Sequence, residues 1–66
     1  MQKREITGRQ ISAARGLLGI HQRHIGEKLN CTSAAVSQVE RGKEGVMKDR
    51  VVRELQRRGV ELLKVG

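Results

Sequence analysis

His21, His24 and Cys31 are the side chains of this 66-residue chain best suited to hold a metal, since it has two histidines and one cysteine. A zinc site takes three or four ligands in tetrahedral geometry. Cys31, however, stands in a turn where an apolar side chain is wanted, and His21 stands where a helix begins, so neither metal nor cofactor is expected. Ser, His and Glu are present, but no strained serine turn, glycine-rich phosphate loop or paired-carboxylate motif accompanies them, and an enzyme is not expected. What the sequence offers instead is charge: 14 Lys and Arg against 7 Asp and Glu leave a formal net charge of +7. Such a balance points to a polyanionic partner, nucleic acid ahead of a membrane surface. The chain has no Phe, Trp or Tyr, so the stacking platforms that grip single strands are missing.

These charges must be displayed by a small scaffold. The length allows one domain over residues 1–66 and excludes a multidomain enzyme. A core drawn from 36% apolar residues is small enough that a partner subunit is expected, and the fold should be all-α because there is no proline and the punctuation falls to Gly, Asn, Ser and Thr. A single cysteine makes no internal disulfide, and the basic start Met1 to Arg4 is followed by no apolar run; a cytoplasmic protein is expected, with neither signal peptide nor membrane span.

Caps and staples place four helices. Thr7 and Gln10 have capping-box spacing, with Ile6 and Ile11 as the hydrophobic staple around them, so helix 1 should run from Gly8 to Leu18 and end at Gly19. Its apolar stripe is Ile11, Ala14 and Leu18, widened by Leu17. Ile20 and Ile25 repeat the staple around His21 as cap of a helix from Gln22 to Leu29, and Asn30 suits the left-handed residue that ends it. Cys31 and Val36 repeat it again around Thr32, opening a helix from Ser33 to Arg41 that Gly42 closes. A basic loop, Gly42-Lys43-Glu44-Gly45, leads to a fourth helix from Met47 to Arg58 with Val51, Val52 and Leu55 inward and Gly59 after it. The tail, residues 60–66, reads as a short strand or arm whose Val60, Leu62, Leu63 and Val65 suit self-association.

Helices 2 and 3, joined by Asn30-Cys31-Thr32, have the proportions of a helix-turn-helix over residues 22–41. Together with Ile11-Ser12-Ala13-Ala14-Arg15, Leu18-Gly19-Ile20-His21-Gln22, Ile25-Gly26-Glu27-Lys28-Leu29 and Val36-Ser37-Gln38-Val39-Glu40-Arg41-Gly42, about half the chain resembles the Cro/C1-type (XRE) helix-turn-helix regulators of prokaryotes and phages.

The resemblance implies a compact lambda-repressor-like four-helix domain that binds a pseudo-palindromic double-stranded operator as a homodimer, most simply as a repressor on the nucleoid. It implies base reading by Ser33, Ala34, Ser37 and Gln38 at the start of helix 3, where Gln suits adenine, Ser several bases and Ala the thymine methyl. It implies phosphate contacts from Gln22, Arg23, Thr32, Arg41 and Lys43, and an interior ion pair between Arg15 and Glu40. Gly26 stands where that family usually has Ala, and either close approach of helix 3 or simple drift accounts for it. The rival readings are an antitoxin or other protein-interaction module that also binds DNA, for which only the tail after Gly59 is spare, and a basic peptide lying on membranes, against which the several short capped helices argue.

Overall fold

The structure, a computed structural model, describes residues 6–59. Four helices follow one another, α1 (Gly8–Leu18), α2 (Gln22–Leu29), α3 (Ser33–Glu40) and α4 (Val46–Arg57), and the described residues contain no strand. The fold is all-α. The arm or strand expected at residues 60–66 lies outside the described residues.

The first two turns are built alike, and the construction explains why such short helices hold their boundaries. Gly19 and Asn30 both adopt the left-handed conformation, with φ 69° and 60°. Behind each, the chain makes the paired bonds that satisfy the last carbonyls of a helix: Gly19 N–H to Gly16 O (3.0 Å) with Ile20 N–H to Arg15 O (3.3 Å), then Asn30 N–H to Glu27 O (3.4 Å) with Cys31 N–H to Gly26 O (2.8 Å). The residue that completes each ending is also the first staple residue of the next helix. Ile6, Ile20 and Cys31 pack on the core to which Ile11, Ile25 and Val36 belong, so every three-residue turn carries one apolar anchor in its middle. Thr7 Oγ1 accepts from Gln10 N–H (3.2 Å) while Gln10 Oε1 accepts from Thr7 N–H (2.8 Å), and Thr32 Oγ1 accepts from Ala35 N–H (3.1 Å). At the start of α2 the side-chain bond runs the other way from that expected of a His21 cap: His24 Nδ1 accepts from His21 N–H (3.1 Å).

Three boundaries and one burial differ from the sequence reading. Arg41 is the residue that ends α3 rather than its last helical one, with φ −89° and ψ 0°, because Gly42 (φ 113°) already turns the chain and Lys43 N–H folds back to Gln38 O at 3.0 Å. The last helix begins at Val46, since Gly45 (φ 134°) takes the N-cap, and it stops at Arg57 with Arg58 as its C-cap. Leu17 is 84% exposed. At 100° per residue it lies roughly 90° from the centre of the Ile11, Ala14 and Leu18 stripe, too far round the cylinder to reach the core.

Each helix contributes to a single aliphatic core: Ile11 and Ala14 from α1, Ile25 from α2, Val36 and Val39 from α3, Val51 and Leu55 from α4. Glu54, on the inner stripe of α4, is also buried at 5% exposure, and its carboxylate is satisfied by Arg58 Nε (2.8 Å) and Arg57 Nη1 (3.4 Å). A buried carboxylate needs such donors. Arg50 of the same helix donates to Leu29 O (2.8 Å), satisfying a carbonyl at the open end of α2.

Helices α2 and α3 share the most extensive contact of any helix pair. Gly26 permits it, because a Cβ there would stand 2.7 Å from Cys31 O and 3.1 Å from Thr32 C, in the backbone of the turn itself. Close approach, not drift, accounts for this glycine. Gly26→Ala should therefore destabilise the domain by about 1 kcal/mol in a thermal or urea melt, although Ala is intrinsically favoured over Gly in a helix by about the same amount. A more stable alanine variant would mean that the turn relaxes at no cost.

Candidate nucleic-acid interface

Val36 and Val39 fix the orientation of α3, because both are buried and lie on its inner side. The remaining positions fall outward: Ser33, Ala34 and Gln38 are exposed and Ser37 is half-buried. Positions 34, 37, 38 and 41 recur at helical spacing, so Arg41, exposed at the end of α3, extends the same face. That face is free of carboxylates: among the described residues the only acid of α3 is Glu40, which points inward.

Glu40 is the hub of an inner network. Its carboxylate is 8% exposed and accepts from Arg15 Nε (2.7 Å) and Arg15 Nη2 (3.2 Å), a two-point pairing with a guanidinium that is itself 20% exposed. Arg15 Nη1 donates in addition to Ile20 O (2.9 Å), and Gln22 Nε2 donates to Glu40 Oε1 (3.0 Å). Three helices and the first turn are thereby tied together at one carboxylate. The hydrogen bonds to Glu40 raise the Arg15 guanidinium above its ordinary value, against the smaller opposing effect of burial. The expected Arg15 and Glu40 pair is present, and Gln22, expected at a phosphate, has its amide nitrogen turned inward to this network.

Beside it lies an open hollow of about 620 Å³ lined by Arg15, His21, Gln22, Arg23 and Ser33. The first residues of α2 and of α3 share this wall, so two helix N-termini and the exposed Arg23 converge on it, an environment suited to an anionic oxygen. Thr32 adjoins it on the chain, its hydroxyl already engaged in capping α3.

The opposite end of the α3 face is the loop between Gly42 and Gly45. Lys43 is exposed, and its Nζ donates to Gln38 Oε1 at 3.4 Å. Lys48 Nζ meets both carboxylate oxygens of Glu44 at 3.1 Å, and this lysine is only 13% exposed on its side chain. The sequence reading missed the pair, although Glu44 and Lys48 have the i, i+4 spacing that signals one. His21 and His24 lie with ring centroids 5.4 Å apart, but no three His, Cys, Asp or Glu side chains come together among the described residues. Nor is any helix among them long and apolar enough to cross a membrane. Comparison of the chain with known protein families, with curated proteins and with solved structures found no match.

Proposed function

We propose that this chain is a sequence-specific double-stranded DNA-binding regulator of the Cro/C1 helix-turn-helix kind, acting as a homodimer on a pseudo-palindromic operator, most simply as a repressor. The observation that carries the reading is the outward face of α3: Ser33, Ala34, Ser37 and Gln38 present short hydrogen-bonding or methyl groups, without a carboxylate, between Arg41 and Lys43 at one end and the hollow beside Arg23 at the other. A helix so furnished suits the major groove, and Arg41 and Arg23 suit the two phosphate backbones beside it. Regulation follows from occupancy, with polymerase excluded and no bond made or broken. The reading implies a cytoplasmic location on the nucleoid.

Anisotropy titrations of the full chain against duplex DNA over a range of salt concentrations test it. A steep fall in affinity with salt is expected, and Arg41→Ala should weaken random and preferred duplexes by similar factors while reducing the log–log slope by about one unit. Selection from random duplexes should return two half-sites with centres about one helical turn apart. A chain that binds no duplex even at low salt ends the reading, and a single half-site bound by a monomer removes the dimer from it.

A further inference from the structure

We infer that Lys43 sets which base Gln38 reads, by setting its ammonium beside the carboxamide oxygen so that donors dominate that end of the pair and guanine is favoured. The inference rests on the DNA-binding reading above and names the base at one position of the site.

A glutamine carboxamide carries one acceptor oxygen and one nitrogen with two donors, whereas a lysine ammonium carries three donors and no acceptor. Two-point recognition of adenine uses both ends of the carboxamide, the oxygen accepting from N6 and the nitrogen donating to N7. Guanine presents two acceptors, N7 and O6, and asks for two donors. With Lys43 Nζ at Gln38 Oε1 (3.4 Å), one of the two lone pairs of the oxygen is engaged, and the ammonium sets further donors beside those of Gln38 Nε2. An adenine N6 amino group would then share the oxygen with an ammonium, donor beside donor, whereas guanine O6 and N7 would meet donors at both points.

The backbone holds this pairing in place. Lys43 N–H donates to Gln38 O (3.0 Å) as part of the bond set that ends α3, and Gly42, with φ 113°, makes the turn that brings residue 43 back over residue 38. The carboxylate nearest to Lys43 in sequence is that of Glu44, and both of its oxygens are held at 3.1 Å by Lys48, whose side chain is largely covered. Lys48 thus keeps the adjacent acid off Lys43 and leaves the carboxamide as the partner of the ammonium. Gln38 and Lys43 are both exposed, so either can be changed without opening the core.

Selection from a randomised duplex pool is run in parallel with the full wild-type chain, Lys43→Ala, Lys43→Arg and Gln38→Ala, each first shown to keep the wild-type helical melt. The wild type should enrich guanine at one position of each half-site, about tenfold over adenine, which is toward the low end of the range for a two-point contact. Lys43→Arg should keep guanine, Lys43→Ala should move that position to adenine as the freed oxygen accepts from N6, and Gln38→Ala should lose preference there alone. The same base at that position in wild type and Lys43→Ala overturns the inference and leaves the DNA-binding reading intact. No enriched sequence with any of the four proteins overturns both.

Discussion

Arg15→Ala and Glu40→Ala should each lower the free energy of unfolding by about 2–4 kcal/mol, and the double variant should lose clearly less than the sum. Breaking a fully buried pair by removing one partner costs about 3–5 kcal/mol, because the other charge is stranded. Here the range is set lower, since Arg15 keeps 20% of its side-chain exposure against 8% for Glu40. The asymmetry has a consequence of its own: Arg15→Ala leaves the more deeply covered group behind, with only Gln22 Nε2 still donating to it, and should be the worse of the two. Glu40→Ala leaves a guanidinium that still reaches Ile20 O. A domain of this length has a total stability of about 3–10 kcal/mol, at about 0.05–0.15 kcal/mol per residue, so either change removes a large share of it. Arg15→Lys should rescue little, because one ammonium cannot reproduce the two-point fork and the bond to Ile20 O together. The sign of the pH dependence on the Arg15 side also follows. Its value is raised in the folded chain, so its contribution is complete at every pH below the ordinary guanidinium value and is lost only as the solution becomes more basic than that. Urea melts of the two single variants and the double variant measure the coupling; strictly additive losses near zero would show that the network contributes nothing.

That pair was legible from the sequence because the resemblance supplied both ends of it. The helices were legible for a different reason, one that lies within a few residues of each cap. Thr7 with Gln10, Thr32 with Ala35, and the three apolar residues Ile6, Ile20 and Cys31 are all bonds or contacts spanning three to five positions, where chain geometry alone decides who meets whom. Residues whose role depends on another helix left no such trace. Leu17 is different in kind, since its place roughly 90° from the centre of the α1 stripe already argues against burial. Glu54 stands three residues after Val51 on the inner stripe of α4, and what the spacing does not show is that Arg57 and Arg58 fold over to satisfy a carboxylate buried there. Of the candidate interface, the outward set on α3 was readable, since burying Val36 and Val39 forces Ala34, Ser37 and Gln38 out. The contact between Lys43 and Gln38 was not, because it depends on the turn at Gly42.

Gly8 is the extreme of that class, and Gly8→Ala is expected to destabilise the domain by about 3 kcal/mol, at the upper end for an overpacked site. Sequence rules predict the opposite. At the first position of α1, alanine should be preferred over glycine in a helix by up to about 1 kcal/mol, and Gly8 adopts no left-handed conformation that would require glycine. What forbids the methyl group is the end of α3. A Cβ on Gly8 would collide with Glu40 O and stand 2.7 Å from Glu40 C and 2.9 Å from Val39 O. These are backbone atoms, so no side chain can rotate aside and one helix must move. The positive N-terminal end of α1 here rests on the carbonyl end of α3, a favourable approach of opposite partial charges that separation would weaken. The displacement would also draw Arg15, on the same helix, away from Glu40, the residue whose own carbonyl the added Cβ would meet. Gly8→Ala and Glu40→Ala should therefore be less than additive. Gly16→Ala is the matched control: it lies in the same helix, a Cβ there meets nothing within 4 Å, and it should be neutral or stabilising by up to about 1 kcal/mol. A loss of about 3 kcal/mol in a domain this small lowers the melting midpoint by roughly 12–24 °C, so thermal melts of the two variants side by side are decisive. If Gly8→Ala melted with Gly16→Ala, the contact between α1 and the end of α3 would be looser than these distances require, and the reason for a glycine at position 8 would have to be sought elsewhere.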